Sequence, residues 1–302
     1  MPFSAKAAAA VLLAALALAG AYLSSGRGAT FRRLKPLPAA RLEAAIAGAQ
    51  ERLKSNPQDI PALEELGLLH FQKGKEYYPE GINELEQARE LGALDPKIFY
   101  YLGLMYQEVG LYSYALDDYR RFLRHYPEDK EARLLAAKLL YGQGEFSEAI
   151  LEYERLKARF PKDPLIEENL GLSLREAKQT ERAVASFKEL RAFPGDTAKR
   201  AELYLGQLAL DLGRYQEALD HLSQCRLAPG SPGFGIPADQ VDYALATAYQ
   251  KAGRLEEAGG VWEEFLKEIP ANDKRRSLAV NCVRDLKRRL ALAKRHAKTR
   301  KS

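Results

Sequence analysis

An all-α fold is predicted, a solenoid of helix-turn-helix repeats preceded by an N-terminal apolar helix. Three recurrences predict it. Small residues return at Ala45, Gly81, Ala115, Ala149, Ala183, Ala218 and Ala258, at intervals of 36, 34, 34, 34, 35 and 40. Glycines stand five residues ahead of four of them, at Gly110, Gly144, Gly213 and Gly253. Prolines stand twelve residues behind, at Pro57, Pro127, Pro161 and Pro270. A period of this length marks repeat architectures, in which one unit cannot bury its apolar face and stacks on its neighbours.

Each recurrence has a local cause. Glycine ends a helix because it accepts the left-handed backbone there. Gly74 serves the 81 unit from seven residues ahead, and Lys178 interrupts the series. The next helix then begins, as in GLYSYA (110–115) and GEFSEA (144–149). An aromatic or leucine two residues after the glycine (Tyr112, Phe146, Tyr215, Leu255) is expected to plug the corner. The small residue lets two antiparallel helices approach. Four residues on, Tyr119, Tyr153, Phe187, Leu222 or Trp262 falls on the same helical face. Proline stops the helix.

Upstream of each glycine lies another amphipathic helix. Phe99, Leu102, Gly103 and Tyr106 share one face, and Leu170, Gly171 and Leu174 repeat the pattern, as do Leu205, Gly206 and Ala209. Beyond Pro270, Leu278, Cys282, Leu286 and Leu290 step by four and form the stripe of a capping helix, with Asn272 or Asp273 at its start.

A unit of 34 residues with L-G-x-x-Y, then G-x-Y-x-x-A, then Pro resembles the tetratricopeptide repeat. The resemblance covers residues 58–270 as about six units, after a leading half-repeat helix over 39–57, and before a capping helix with a basic tail over 271–302. It implies a tetratricopeptide-repeat solenoid. A late position of the second helix, small in the family, holds Phe122, Leu156, Leu190, Cys225 or Phe265. Larger groups there are expected to alter helix spacing and superhelical pitch.

The resemblance also implies a function. First helices of such repeats line a concave groove that holds a peptide or partner helix. Carried onto this sequence, the groove comprises Phe71, Tyr100, Leu104, Leu134, Lys138, Tyr141, Leu172, Arg175, Leu203, Gln207, Tyr243 and Gln250, with Leu68, Gln107, Glu168, Leu210 and Thr247 beside them. Its aromatic members are the expected anchors. The Lys and Asn pair that clamps acidic chaperone tails in some relatives is missing, since the matching slots hold Tyr100 and Leu104, Leu134 and Lys138, or Glu168 and Leu172.

The rest of the sequence argues against catalysis. His70, His125, His221 and His296 form no metal-ligand spacing, and neither a G-x-S-x-G nor a phosphate-binding loop occurs. No catalytic residue, metal or cofactor is expected. His70 reads as a core residue, and the many Asp and Glu read as solvent-facing helical positions. Cys225 and Cys282 read as unpaired structural thiols. The Gly/Pro-rich stretch APGSPGFGIP (228–237) reads as a linker, the alternative being a lip that folds over the binding surface.

Charge divides the chain. The whole carries +5, residues 1–40 carry five bases and no acid, and residues 271–302 carry twelve bases against two acids, so the body is left at −10. Residues 3–23 contain a charge-free run from Ala7 to Leu23 behind Lys6, at the short limit for spanning a bilayer. Residues 1–25 thus read as a signal-anchor or signal segment and 26–38 as a basic linker. The expectation is a single-pass membrane anchor with the repeat body extracytoplasmic. The alternatives are a cytoplasmic-facing body, or secretion after cleavage at Ala19 or Ala21. The tail over 287–302 suits a fraying cap or anionic lipid headgroups, and the acidic body and absent tail aromatics argue against nucleic acid. The expected function is a non-enzymatic, membrane-tethered protein-protein interaction scaffold in assembly of an envelope complex. The alternative is a soluble or cytosolic-facing regulator of one client protein.

Overall fold

The computed structural model describes residues 31–226, 235 and 238–299. The apolar run over 7–23, the 228–237 stretch apart from Gly235, and the last three residues of the basic tail lie outside them. Among the described residues there are fourteen α-helices, one turn of 3-10 helix (Lys75–Tyr77) and no strand. No helix among them is long and apolar enough to cross a membrane. The chain divides into two compact units, Met1–Leu140 and Tyr141–Ser302.

Unit 1 holds α1 (Ala39–Ser55), α2 (Ile60–Lys73), α3 (Tyr78–Glu90), α4 (Lys97–Glu108), α5 (Tyr112–His125) and most of α6 (Lys130–Gly142). Helices α1 to α5 pack each on the next in chain order. Unit 2 holds α7 (Phe146–Arg159), α8 (Pro164–Glu176), α9 (Thr180–Arg191), α10 (Asp196–Asp211), α11 (Tyr215–Cys225), α12 (Ala238–Lys251), α13 (Leu255–Glu268) and α14 (Arg276–Thr299). From α8 onward each packs on its successor, and α7 packs on α8.

The recurring small residues sit where two helices touch: Ala115, Ala149, Ala183, Ala218 and Ala258 are fully buried. The large groups four residues on are buried too. Gly103 and Gly171 carry the close approach from the first helices. A Cβ on Gly171 would lie 2.5 Å from Cε1 of Phe187, and one on Gly103 would lie 2.6 Å from Cε1 of Tyr119. The expected helix-ending glycines adopt positive φ, and Lys178 takes the same conformation at φ 60. The series is therefore unbroken in backbone although its residue type changes; a side chain there carries local strain that glycine avoids.

Four expectations require correction. Tyr112 does not plug its corner. It opens α5 with its ring half exposed, and Tyr106 is met instead by Tyr114, at 5.4 Å between centroids. In unit 2 the corner contact does form, Phe146 lying 5.5 Å from Tyr141. Leu278 leaves the capping stripe and is 49% exposed, because the seam of α14 runs through Ala279, Cys282, Val283 and Leu286. The start of α14 is fixed by Asp273, whose Oδ1 accepts from the Arg275 N–H at 2.8 Å. In α1 the buried small residue is Ala49, and Ala45 is only partly covered.

The fourth correction concerns acids. Asp118, Glu167, Glu202 and Asp242 are buried rather than solvated. The last three occupy matching positions of α8, α10 and α12, and each takes a base from the second helix of the preceding pair or from the residue that caps it. Glu167 pairs with Lys157, Glu202 with Arg191, and Asp242 with Arg226. Glu202 also meets Nδ1 of His221 at 2.6 Å. A buried carboxylate survives only when paired or hydrogen-bonded. These acids are therefore polar pins between successive helix pairs. His70 is buried as read from the sequence, with its Nδ1 2.7 Å from Glu84. Both cysteines are free, and burial pushes the Cys225 thiol up to about 12.

Asp118 makes unit 1 sensitive to pH. Burial pushes its carboxyl up to about 7, against the pull of Arg89 and Arg121, whose Nη1 atoms lie 3.6 and 3.4 Å away. Glu86 and Asp117 push in the same direction as burial. The folded state then holds a proton that the unfolded state, at the ordinary 3.8, releases. Stability is greatest below the unfolded value and falls as pH rises towards about 7, by at most about 4 kcal/mol. Urea denaturation at pH 5 and pH 8 should show this loss, and Asp118→Asn should flatten it. An unchanged pH slope in the variant would assign the dependence elsewhere.

Candidate partner-binding grooves

In unit 1 the face that would serve as a groove is already occupied. Residues 31–38, which have no regular secondary structure, lie across first helices α2 and α4 and the start of α6. The Phe31 ring packs among Tyr100, Tyr101, Phe122 and Tyr126, with centroids 5.1, 6.2, 4.9 and 5.4 Å away. Arg33 donates two hydrogen bonds to Asp129, at 2.8 and 2.7 Å, in the fork geometry that makes such pairs strong. Its Nε lies 2.9 Å from the Glu131 carboxylate, and its guanidinium carbon sits 4.9 Å from the centre of the Tyr100 ring. The backbone is held as well. The Leu34 N–H donates to the Tyr101 hydroxyl at 2.7 Å, and the Leu37 N–H to Gln72 Oε1 at 3.0 Å.

This strap covers one of the expected groove residues of unit 1, Tyr100. Tyr100 is 2% exposed, beneath Phe31 and Arg33, and its hydroxyl donates to Glu131 at 2.9 Å. Burial raises its pKa above the ordinary tyrosine range. Phe71 is partly buried, stacked on Tyr78 at 5.6 Å and 4.8 Å from Tyr101. Leu104 and Leu134 are partly covered and Lys138 is exposed.

Unit 2 presents an open cavity of about 740 Å³ along α8, α10 and α12. Arg175, Gln207 and Tyr243 line it together, with Leu210 and Thr247 beside them. Arg175 Nη1 donates to Gln207 Oε1 at 3.0 Å, which fixes both side chains. Four bases line the cavity, Arg175, Lys178, Lys251 and Arg275, against Glu176 and Asp211; Arg175 pairs with Glu176 at 3.1 Å, so the exposed Lys178 and Lys251 carry most of the positive charge it presents. Sequence reasoning missed Lys178, Lys251, Tyr215 and Arg275. The first two sit at the ends of first helices, and Tyr215 opens a second helix. Arg275 comes from the turn ahead of α14, where Asp273 and Asp239 each hold it at 2.6 Å. A first-helix period cannot find residues contributed by turns.

The remaining candidates are placed elsewhere. Leu203 is fully buried in the core of unit 2 and has no surface to offer. Gln250 accepts a hydrogen bond from the Trp262 indole at 3.1 Å. Leu172 is partly covered on α8, and Tyr141 is partly buried against Phe146. Among the described residues no group of three or more His, Cys, Asp or Glu is arranged to hold a metal ion.

Residues 106–164 and 168–232 match the family model described as tetratricopeptide repeat. Among solved structures, the C-terminal part of a TPR repeat-containing protein from Cytophaga hutchinsonii has a TM-score of 0.62 at 16% identity, over 80% of this chain and 95% of that one. Yeast Tom70 has a TM-score of 0.51 at 16% identity, over 83% and 59%. The Naa15/Naa10 complex bound to HypK-THB has a TM-score of 0.51 at 17% identity, over 82% of this chain and only 37% of its own. At these identities the likeness is one of fold. None of the curated proteins matches the sequence.

Proposed function

We propose that this chain is a non-enzymatic protein-protein interaction scaffold whose unit 2 holds an acidic segment of a partner protein. The observation that supports it is the open cavity in which Tyr243, Arg175 and Gln207 stand side by side under a basic wall. Half-covered aromatic rings supply contact area, and the surrounding bases set the sign of the partner. Lys178 and Lys251 are exposed, so reversing them leaves the core untouched.

The test is a photo-crosslinking residue at Tyr243, read with and without Lys178→Glu/Lys251→Glu. One partner should be captured at Tyr243, and charge reversal should weaken its binding about tenfold or more, the equivalent of about 1.4 kcal/mol. Equal capture by both proteins would sink the reading. Residues 3–23 would hold the scaffold at a membrane with the repeats extracytoplasmic, where it would assemble an envelope complex; the charge-free run behind Lys6 supports this. Fractionation with protease accessibility in intact cells checks it, and a repeat body found only in the soluble fraction would count against it.

A further inference from the structure

We propose that residues 31–37 are a built-in ligand, and that the unit 1 groove they fill recognises segments of the form aromatic-x-Arg-aliphatic in other polypeptides once it is vacated. The inference stands whether or not unit 2 holds a partner, because every contact involved lies in unit 1.

The occupant is specified by side chains as well as by packing. Phe31 enters a pocket whose four walls are aromatic, which provides large contact area and edge-to-face geometry. Two residues on, Arg33 meets two carboxylates of one turn, Asp129 and Glu131, and the former is 9% exposed. A carboxylate that takes two parallel N–H bonds, with a second negative charge beside it, suits a planar guanidinium and would be left poorly matched by lysine. Backbone N–H groups at Leu34 and Leu37 then find side-chain acceptors. Aromatic pocket, acidic fork and backbone acceptors in a row are the features by which a groove reads a peptide.

The strap's partners are distant in sequence, 67 residues away at Tyr101 and 96 at Asp129. It therefore closes as a tethered ligand. Tethering gives an effective concentration on the order of millimolar. A free peptide of the same sequence competes against that, so its apparent affinity for the intact chain should be about ten- to a hundredfold below its affinity for a vacated groove.

The probe is a fluorescein-labelled peptide of residues 30–38 (TFRRLKPLP), titrated by anisotropy into the full chain in mild detergent. The wild type should bind it weakly, and Phe31→Ala/Arg33→Ala should bind it at least about tenfold more tightly. Adding Asp129→Asn/Glu131→Gln to that variant should remove the gain. Equal binding by wild type and strap variant overturns the proposal, as does tight binding indifferent to Asp129 and Glu131. Hydrogen exchange on the wild type tests it without mutation. The Leu34 amide should be protected, and excess unlabelled peptide should release it; an amide exchanging freely without peptide overturns the proposal. Tyr243→Ala should change none of these readings, which separates this test from that of unit 2.

Discussion

Phe187→Ala should lower the stability of unit 2 by about 3–5 kcal/mol, the range for deleting a buried aromatic ring. The ring has no exposed surface and lies 5.0 Å from that of Tyr204. Its opposite wall is Gly171, close enough that even a Cβ there would overlap the ring. The space left behind is thus bordered by a residue with no side chain to move into it, which puts the loss towards the upper part of the range. Alanine is a better helix former than phenylalanine by a fraction of a kcal/mol, so local propensity works against the loss and cannot account for it. The chain has one tryptophan, Trp262, buried in unit 2, and its fluorescence in urea reports this unit alone. A loss below about 1 kcal/mol would mean that α8 and α9 close over the gap.

The second large effect is electrostatic. Lys157→Met should destabilise unit 2 by about 2–4 kcal/mol, somewhat less than the full cost of stranding a buried charge because Lys157 is partly open to solvent. Its Nζ lies 2.8 Å from Glu167, whose side chain is 4% exposed, and 2.7 Å from Glu189 on the surface. Without the ammonium, Glu167 keeps the Ser186 hydroxyl, which donates to its Oε1 at 2.5 Å, but no cation. The double variant Lys157→Met/Glu167→Gln should recover most of the loss, since a neutral amide in that place needs no counter-charge. The four proteins form a cycle in which the coupling should be about 2 kcal/mol, measured by the same tryptophan signal. Additive single effects would show that Glu167 is already served by other groups.

The helix pairs, their order and the residues at their closest contacts were legible without coordinates. Each depends on neighbours within one period: a glycine that turns the chain, a small residue opposite a large one, a proline that stops the helix. Ala183 with Phe187 and Ala218 with Leu222 fell where that reasoning put them. A single helical stripe is less secure. The stripe of α14 slipped by one residue at Leu278, because leucines four apart drift around a helix of 3.6 residues per turn.

What depends on distant residues could not be read locally. Glu167, Glu202 and Asp242 look like solvated helix positions until the preceding helix pair brings Lys157, Arg191 or Arg226 against them. The candidate groove divided for the same reason. Arg175, Gln207 and Tyr243 remain around an open cavity, whereas Tyr100 disappears beneath Phe31 and Arg33. Nothing periodic marks residues 31–37, and the acceptors that hold them are scattered from Gln72 to Glu131. Short-range spacing settles which helices form and pair. Burial of charge and occupation of a groove are set by groups that meet only after the chain has folded, and those contacts leave no period to count.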